Sequence, residues 1–138
     1  MTAAWLLAAA LAAPAAALSP LGREAAETLK ALVRGDTTNP PGAEAPAAAV
    51  LAGVLGKAGV PFEVVESSPG RANLVARLKG DGTRRPLLLL AHLDVVGAEP
   101  GRWSFPPFAG DEVDGAVRGR GSVDDKSMAA VFAAVLCD

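Results

Sequence analysis

The stretch that decides the fold is PLLLLAHLDVV, residues 86–96, in which an apolar run leads into two polar residues. The four leucines Leu87–Leu90 show no polar alternation, a pattern typical of a strand with both faces buried in a largely parallel sheet. His92 and Asp94 follow two residues apart, so in a strand their side chains leave the same face. Because ligands bind at the carboxyl ends of strands in open α/β sheets, these two residues form a candidate site.

A second motif, GRGSVDDK at residues 119–126, follows the first and leads into an apolar helical pattern. On its position alone, His92 would more often line a loop than bind a ligand. The two motifs in this order, joined by a connection that contains WSFPPF at residues 103–108, are more specific than either motif alone.

Together, AHLDVV and WSFPPFAGDEVDGAVRGRGSVDDK resemble the co-catalytic zinc metallopeptidase family. This family includes aminoacylase, glutamate carboxypeptidase, carboxypeptidase S, acetylornithine deacetylase and succinyl-diaminopimelate desuccinylase. The segment TTNPPG at residues 37–42 is most similar to the carboxypeptidase S branch. The resemblance implies a zinc-exopeptidase-like, three-layer α/β/α catalytic domain with a mixed, mostly parallel sheet. Residues 19–138 would be its N-terminal part only.

The resemblance also implies the roles of three residues. His92 would bind one metal ion, Asp124 would bridge two, and Asp94 would orient His92 and support catalysis. Imidazole and carboxylate are suitable zinc ligands, and a ligating histidine usually donates its other ring N–H to a carboxylate. We therefore expect two Zn²⁺ ions, with Co²⁺ as a substitute, a cis peptide bond after Asp124, and convergence of His92 with Asp124, with Asp94 on the far side of the ring.

Several parts of the family are absent from this sequence. These are an adjacent pair of glutamates that includes the general base, further metal ligands, and a dimerisation domain. The chain alone is therefore predicted to be an inactive fragment of a hydrolase. The complete enzyme, a homodimer, would cleave amide bonds of N-acyl amino acids or small peptides. Two alternatives are a non-catalytic binding or regulatory module that keeps the fold, and an unstable gene remnant.

Composition narrows the class of protein. Of the 138 residues, 51% are hydrophobic and 20% are charged, which is typical of a globular chain. The net charge is −2 with no basic stripe, so nucleic acid is not an expected partner. The sequence holds one cysteine, which cannot form an internal disulfide, and one histidine. A metal site must therefore depend on carboxylates.

The N-terminal stretch, residues 1–22, contains no charged side chain. Its apolar run ends near Leu18 and is interrupted by Pro14, so it is too short for a stable membrane span of ~20 residues. Residues 1–18 are predicted to be a signal peptide, because A-x-A cleavage candidates follow the apolar run. The protein would then be secreted or periplasmic. Alternatives are an N-terminal anchor, or an alanine-rich first helix in a cytoplasmic protein.

The remaining pattern predicts short helices and strands. Ser19 and Pro20 are a typical helix start and Gly35 a typical end, while Asp114-Gly115 is typical of a hairpin. A helix at Lys126–Leu136 is apolar nearly all round and should be buried. The other predicted elements are a helix at Glu44–Ala58, with Val50, Leu51, Val54 and Leu55 inward, and strands at Val60–Glu66 and Asn73–Lys79.

Three features have two interpretations each. Residues 36–42 are either a loop with the family's function or a rigid connection between helices, and their turn composition favours the connection. Arg120 is either a clamp for a substrate carboxylate or, as we expect, a structural partner of a nearby group. Trp103, Phe105 and Phe108 either line a pocket or, as we expect, anchor the long connection onto the domain.

Overall fold

The computed structural model of the protein describes residues 17–138. Nearly all of the predicted signal peptide therefore lies outside the described residues. Helices and strands are both present, which confirms the predicted α/β class. The elements are α1 (Pro20–Arg34), α2 (Ala45–Lys57), β1 (Phe62–Ser68), β2 (Arg71–Ala76), a 3-10 turn (Pro100–Arg102), β3 (Asp111–Val113), β4 (Ala116–Arg118) and α3 (Lys126–Cys137).

Helix α1 begins and ends where the sequence predicts. The Ser19 hydroxyl oxygen accepts a hydrogen bond from the amide of Gly22 at 3.0 Å, and Pro20 occupies the first turn. This start is stable because the serine satisfies a free N–H and proline has none to satisfy. The helix ends at Gly35, whose amide donates to the carbonyl of the fully buried Leu32 at 3.2 Å.

The three helices contact one another around a core of mostly small side chains. The core residues are Leu32, Ala47, Leu51, Ala129, Ala130 and Ala133. Helix α3, predicted to be buried nearly all round, buries its alanines, whereas Met128, Val131 and Val135 are exposed. This prediction is wrong because, among the described residues, α1 and α2 cover one side of α3. No helix in residues 17–138 has the length and apolar character that crossing a bilayer requires.

The strands form two antiparallel hairpins. Strands β1 and β2 lie close to the predicted runs and turn at Pro69-Gly70. Strands β3 and β4 turn at Asp114 and Gly115, whose φ angles of 53° and 75° are typical of a two-residue type I′ turn. Helix α2 is one residue shorter at each end than predicted, since Glu44 and Ala58 flank it.

The predicted buried strand at Leu87–Leu90 is not found in the described part. Residues 85–94 belong to no strand there, and Leu87, Leu88 and Leu90 are 83%, 80% and 78% exposed. Alternate residues from Leu89 to Leu93 are partly buried, against the helical core. A strand is buried on both faces only where elements cover both faces, and the described residues cover one.

One parallel backbone bridge, between Thr38 and Val95, is present in the described residues. The amide of Val95 donates to the carbonyl of Thr37 at 3.1 Å, and the amide of Asn39 donates to the carbonyl of Val95 at 2.9 Å. The described part therefore has the α/β class without the mostly parallel sheet. The bridge attaches the connection between α1 and α2 to the end of the H-x-D motif.

Candidate functional site

The two sequence motifs meet at the imidazole of His92. Its Nδ1 lies 3.1 Å from Oδ1 of Asp94, and its Nε2 lies 2.9 Å from Oδ1 of Asp124. The predicted convergence of His92 with Asp124 is confirmed, and so is the position of Asp94 on the far side of the ring. The roles of these residues as metal ligands and catalytic group stay predictions.

The loop that carries Asp124 is fixed through its backbone. The amide of Arg120 donates to the carbonyl of Pro107 at 2.7 Å, and the amide of Lys126 donates to the carbonyl of Gly121 at 3.1 Å. The Asp124–Asp125 peptide bond is cis, as the resemblance implies. The Asp124 side chain is 87% exposed, so the loop presents its carboxylate to solvent.

The two glycines of the second motif allow this loop to approach the core closely. A Cβ on Gly119 would lie 2.3 Å from a methyl carbon of the fully buried Val33. A Cβ on Gly121, whose φ is 83°, would lie 2.6 Å from a methyl carbon of Val95. Any larger residue at either position would push the loop outward.

Lys126, the last residue of the GRGSVDDK motif, bonds this motif to the end of helix α1. Its ammonium group is fully buried and donates to the carbonyls of Leu32 at 3.0 Å and Gly35 at 2.9 Å. These carbonyls lie at the C-terminus of α1, where a positive charge is favoured. Burial lowers the pKa of Lys126 to about 8, and the negative charge of Asp36 opposes that change. The motif's lysine therefore has a structural role.

Asn39 is a site residue that the sequence interpretation missed. Its side-chain Nδ2 donates to Oδ2 of Asp94 at 2.8 Å. The fully buried Thr37 donates its hydroxyl to the carbonyl of Leu93 at 2.6 Å. The segment at residues 36–42 is therefore more than the rigid connection that its turn composition favours. The signal that could have found Asn39 was the likeness of TTNPPG to the family's loop.

The two carboxylates beside His92 set the charges of the site. The hydrogen bond that the Asp124 carboxylate accepts from the ring is the main cause that raises the pKa of His92, and partial burial opposes it. The hydrogen bond from Asn39 is the main cause that lowers the pKa of Asp94. This arrangement favours a positive charge on the ring between two anionic groups, so a divalent cation at Nε2 could replace the ring proton.

The donors at Nε2 fit part of a zinc site. Zinc bonds of ~2.0–2.2 Å place two donors of a tetrahedral ion roughly 3.3–3.6 Å apart, so a small side-chain movement from 2.9 Å is sufficient. Within residues 17–138, no group of three or more His, Cys, Asp or Glu side chains could hold a metal ion. Since catalytic zinc sites use three protein ligands, His92 and Asp124 supply an incomplete set.

Arg120 lies against an aromatic residue of the connection that precedes β3. The rings of Trp103 and Phe105 pack edge to face, with centroids 5.4 Å apart. The guanidinium of Arg120 lies 5.0 Å from the centroid of Trp103, and that of Arg118 lies 4.4 Å from the centroid of Phe105. These contacts support the anchoring interpretation of Trp103 and Phe105 and a structural role for Arg120.

Two open clefts border the site. The smaller, of about 440 Å³, is lined by groups that include Asn39, His92, Asp94, Arg120, Ser122 and Asp124. The larger, of about 830 Å³, lies between β2 and residues 89–94 and is lined mainly by apolar side chains. Because His92 and Asp124 both line the smaller cleft, it is where a reacting group would meet them.

A match to a family model covers the three predicted site residues, His92, Asp94 and Asp124. Residues 88–138 match the family described as peptidase family M20/M25/M40. This match confirms the resemblance to a family of hydrolases over the part of the chain that it covers.

Curated relatives extend the match toward the N-terminus. The chain is 47% identical over 58 residues to the N-fatty-acyl-amino acid synthase/hydrolase PM20D1 of Xenopus tropicalis, covering 42% of this chain and 11% of the relative. It is 47% identical over 97 residues to a succinyl-diaminopimelate desuccinylase of Methylobacterium sp. (66% and 24%). It is 37% identical over 122 residues to that of Methylocella silvestris (85% and 30%). The chain thus spans less than a third of the length of these relatives.

Proposed function

We propose that this chain is the N-terminal part of the catalytic domain of a zinc-dependent hydrolase that cleaves amide bonds of N-acyl amino acids or small peptides. The observation that carries the proposal is the His92 ring, with Asp94 at Nδ1 and Asp124 at Nε2. The names of the relatives support the substrate class, since they denote an N-fatty-acyl-amino acid hydrolase and a succinyl-diaminopimelate desuccinylase.

The three residues have distinct proposed roles. His92 and Asp124 would hold zinc, with Asp124 bridging to a second ion, and Asp94 would keep the imidazole in place through Nδ1. Zn²⁺, or Co²⁺ as a substitute, supplies a Lewis acid that polarises a carbonyl group and makes water more acidic. The cleft beside Asp124 would admit the small-molecule substrate.

A general base is missing from this proposed set. After Lys126 the sequence holds one carboxylate side chain, Asp138. We propose that the base, the further ligands and a dimerisation domain are encoded beyond codon 138 and that the complete enzyme is a homodimer. Loss of a positioned base costs ~10²–10⁴ in rate in addition to the loss of metal ligands, so the 138-residue chain alone should not turn over substrate.

The test begins with the encoding DNA. An open frame past codon 138, with an adjacent Glu-Glu some thirty residues on, would support the proposal. The protein of that frame should release amino acids from a panel of N-acyl amino acids and dipeptides in the presence of zinc, and lose this activity in the His92→Ala variant. The 138-residue chain, assayed beside it with zinc or cobalt, should match the metal-only blank. Turnover by the short chain that disappears in His92→Ala would contradict the fragment proposal.

A non-catalytic binding module is the second candidate. The observation that favours this candidate is that residues 17–138 contain no group of three side chains able to bind one metal ion. An authentic stop codon after residue 138, with a folded and soluble product that binds N-acyl amino acids without hydrolysing them, would select it.

Export is a separate proposal. Residues 1–18 would be removed as a signal peptide in a secretion-competent host, which places the mature protein outside the cytoplasm. Intact-mass measurement should show a loss of about 15 to 18 residues. A soluble cytosolic product that retains Met1 would contradict export.

A further inference from the structure

We propose that Asn39 is a positioning residue of the site. By holding the Asp94 carboxylate, it determines which ring nitrogen of His92 is free to bind a metal ion. The Nδ2 group of Asn39 donates to Oδ2 of Asp94 at 2.8 Å, and Oδ1 of the same carboxylate lies 3.1 Å from Nδ1 of His92. Because Asn39 holds Oδ2 of Asp94, the other carboxylate oxygen, Oδ1, stays directed at Nδ1 of His92. The neutral ring then carries its proton on Nδ1 and leaves the lone pair of Nε2 free.

The neighbours of Asn39 permit one orientation of its amide. An Arg71 guanidinium nitrogen donates to Oδ1 of Asn39 at 3.5 Å, on the side away from Asp94. Arginine offers donors alone and an ionised carboxylate offers acceptors alone, so a reversed amide would lose both contacts. Arg71 is itself held by the carboxylate of the buried Glu44 through two hydrogen bonds of 3.1 and 2.9 Å. The orientation of Asn39 is thus set by a chain of contacts that begins at Glu44, the residue directly before α2.

The loop that carries Asn39 is docked independently of its side chain. The backbone amide of Asn39 donates to the carbonyl of Val95. The carbonyl of Thr37 accepts from the amide of Val95, and the Thr37 hydroxyl donates to the carbonyl of Leu93. Because these contacts use backbone groups and the Thr37 hydroxyl, a substitution of the Asn39 side chain should leave the loop in place. The contribution of the Asn39 amide can therefore be measured apart from the fold.

The two carboxylates beside the ring differ in how firmly they are held. Nδ1 faces both Oδ1 and, at 3.0 Å, the backbone carbonyl of Asp94. Nε2 faces the carboxylate of Asp124, whose side chain is 87% exposed and free to turn away. The fixed acceptors should therefore determine the position of the proton on the neutral ring.

The sequence makes a direct test possible, since His92 is its single histidine and its ring nitrogens need no assignment. The ¹⁵N-labelled chain, with chelator and at a pH well above the pKa of the ring, should show mainly the Nδ1–H tautomer. Asn39→Leu keeps a similar size without hydrogen-bonding groups, and should raise the Nε2–H population and weaken zinc binding about tenfold. Thr38→Val is the matched control, because the Thr38 hydroxyl bonds Asp36 and not the site.

Parent tautomer and parent zinc affinity in a folded Asn39→Leu variant would overturn the proposal. If that variant fails to fold, the proposal can still be tested on the unsubstituted chain. There the Nδ2 protons of Asn39 should exchange slowly with water and show proximity to Asp94. Fast exchange of these protons would equally overturn it. The inference rests on the proposed function only in naming zinc as the ion at Nε2. If zinc does not perturb the ring of the unsubstituted chain, the proposed function fails while the tautomer result stands.

Discussion

The two sides of the His92 ring are built in different ways. On the Nδ1 side, the Asp94 side chain is 33% exposed and is held by Asn39, in a loop bonded to the same backbone segment. On the Nε2 side, the Asp124 side chain is 87% exposed and bonds His92. The first side fixes the ring, while the second leaves a nitrogen and a carboxylate accessible from solvent, as entry of a metal ion requires.

This difference indicates which groups of the site contribute to the stability of the fold and which contribute to its chemistry. The loop that carries Asp124 is held by backbone hydrogen bonds, which leave the Asp124 carboxylate exposed, whereas the Asp94 carboxylate is itself held by the side chain of Asn39. Substitutions in the supporting backbone and loop should therefore lower the free energy of unfolding. Substitution of Asp124 should instead change the charge of the ring with little effect on stability.

The largest effect is expected for Gly119→Ala, which tests how the Asp124 loop is held. The new Cβ would lie 2.3 Å from the fully buried Val33 side chain and 2.9 Å from the Pro107 carbonyl oxygen. Overpacking and backbone strain together should lower the free energy of unfolding by about 2–4 kcal/mol. Urea unfolding measures this value. Gly80→Ala is the control, since a Cβ there meets nothing within 4 Å. Equal stability of the two variants would show that the loop is free to shift.

A smaller loss is expected for Thr37→Val on the Nδ1 side. The Thr37 side chain is fully buried and its hydroxyl donates to the carbonyl of Leu93 at 2.6 Å. Valine keeps the shape and leaves that carbonyl without this donor, so unfolding should become easier by about 1–3 kcal/mol. Thr38→Val changes a more exposed hydroxyl in the same loop and should stay within about 0.5 kcal/mol of the parent. A reversed order of the two losses would contradict the docking of this loop through Thr37.

The smallest effect on stability is expected for Asp124→Asn in the metal-free chain. The Asp124 hydrogen bond is the main cause that raises the pKa of His92 above its ordinary 6.5, so the variant should titrate at lower pH. A raised pKa stabilises the fold below the pKa of the unfolded chain, and that contribution disappears as pH rises through the folded pKa. The Asp124→Asn variant should therefore show less pH dependence of stability in this window. NMR titration of the His92 ring checks the prediction, and an unchanged pKa would contradict it.

The sequence was sufficient to predict features that depend on local chemistry. The helix start at Ser19, its end at Gly35 and the Asp114-Gly115 turn each follow from the preferences of neighbouring residues. The convergence of His92 with Asp124 was predicted differently, from the resemblance of two motifs to a family. That resemblance carries information on long-range contacts that local preferences lack.

Other features depend on contacts that no local pattern encodes. The leucines at Leu87–Leu90 predict burial on two faces, and the exposure of Leu87, Leu88 and Leu90 reflects which elements the described residues place beside them. The hydrogen bond of Asn39 to Asp94 joins residues far apart in the chain, within a loop of ordinary turn composition. The burial of Lys126 was equally unexpected, because a lysine is seldom fully buried without partners.

The central claim is that His92 and Asp124 form one metal-binding edge while Asp94 holds the ring from behind. The most direct measurement is a zinc titration of the metal-free chain, observed on the ring nitrogens of His92. Zinc should shift the Nε2 resonance while Nδ1 keeps its proton, and Asp124→Asn should weaken the binding. If zinc leaves Nε2 unperturbed, or binds the His92→Ala variant as tightly as the parent, the assignment of this site is contradicted.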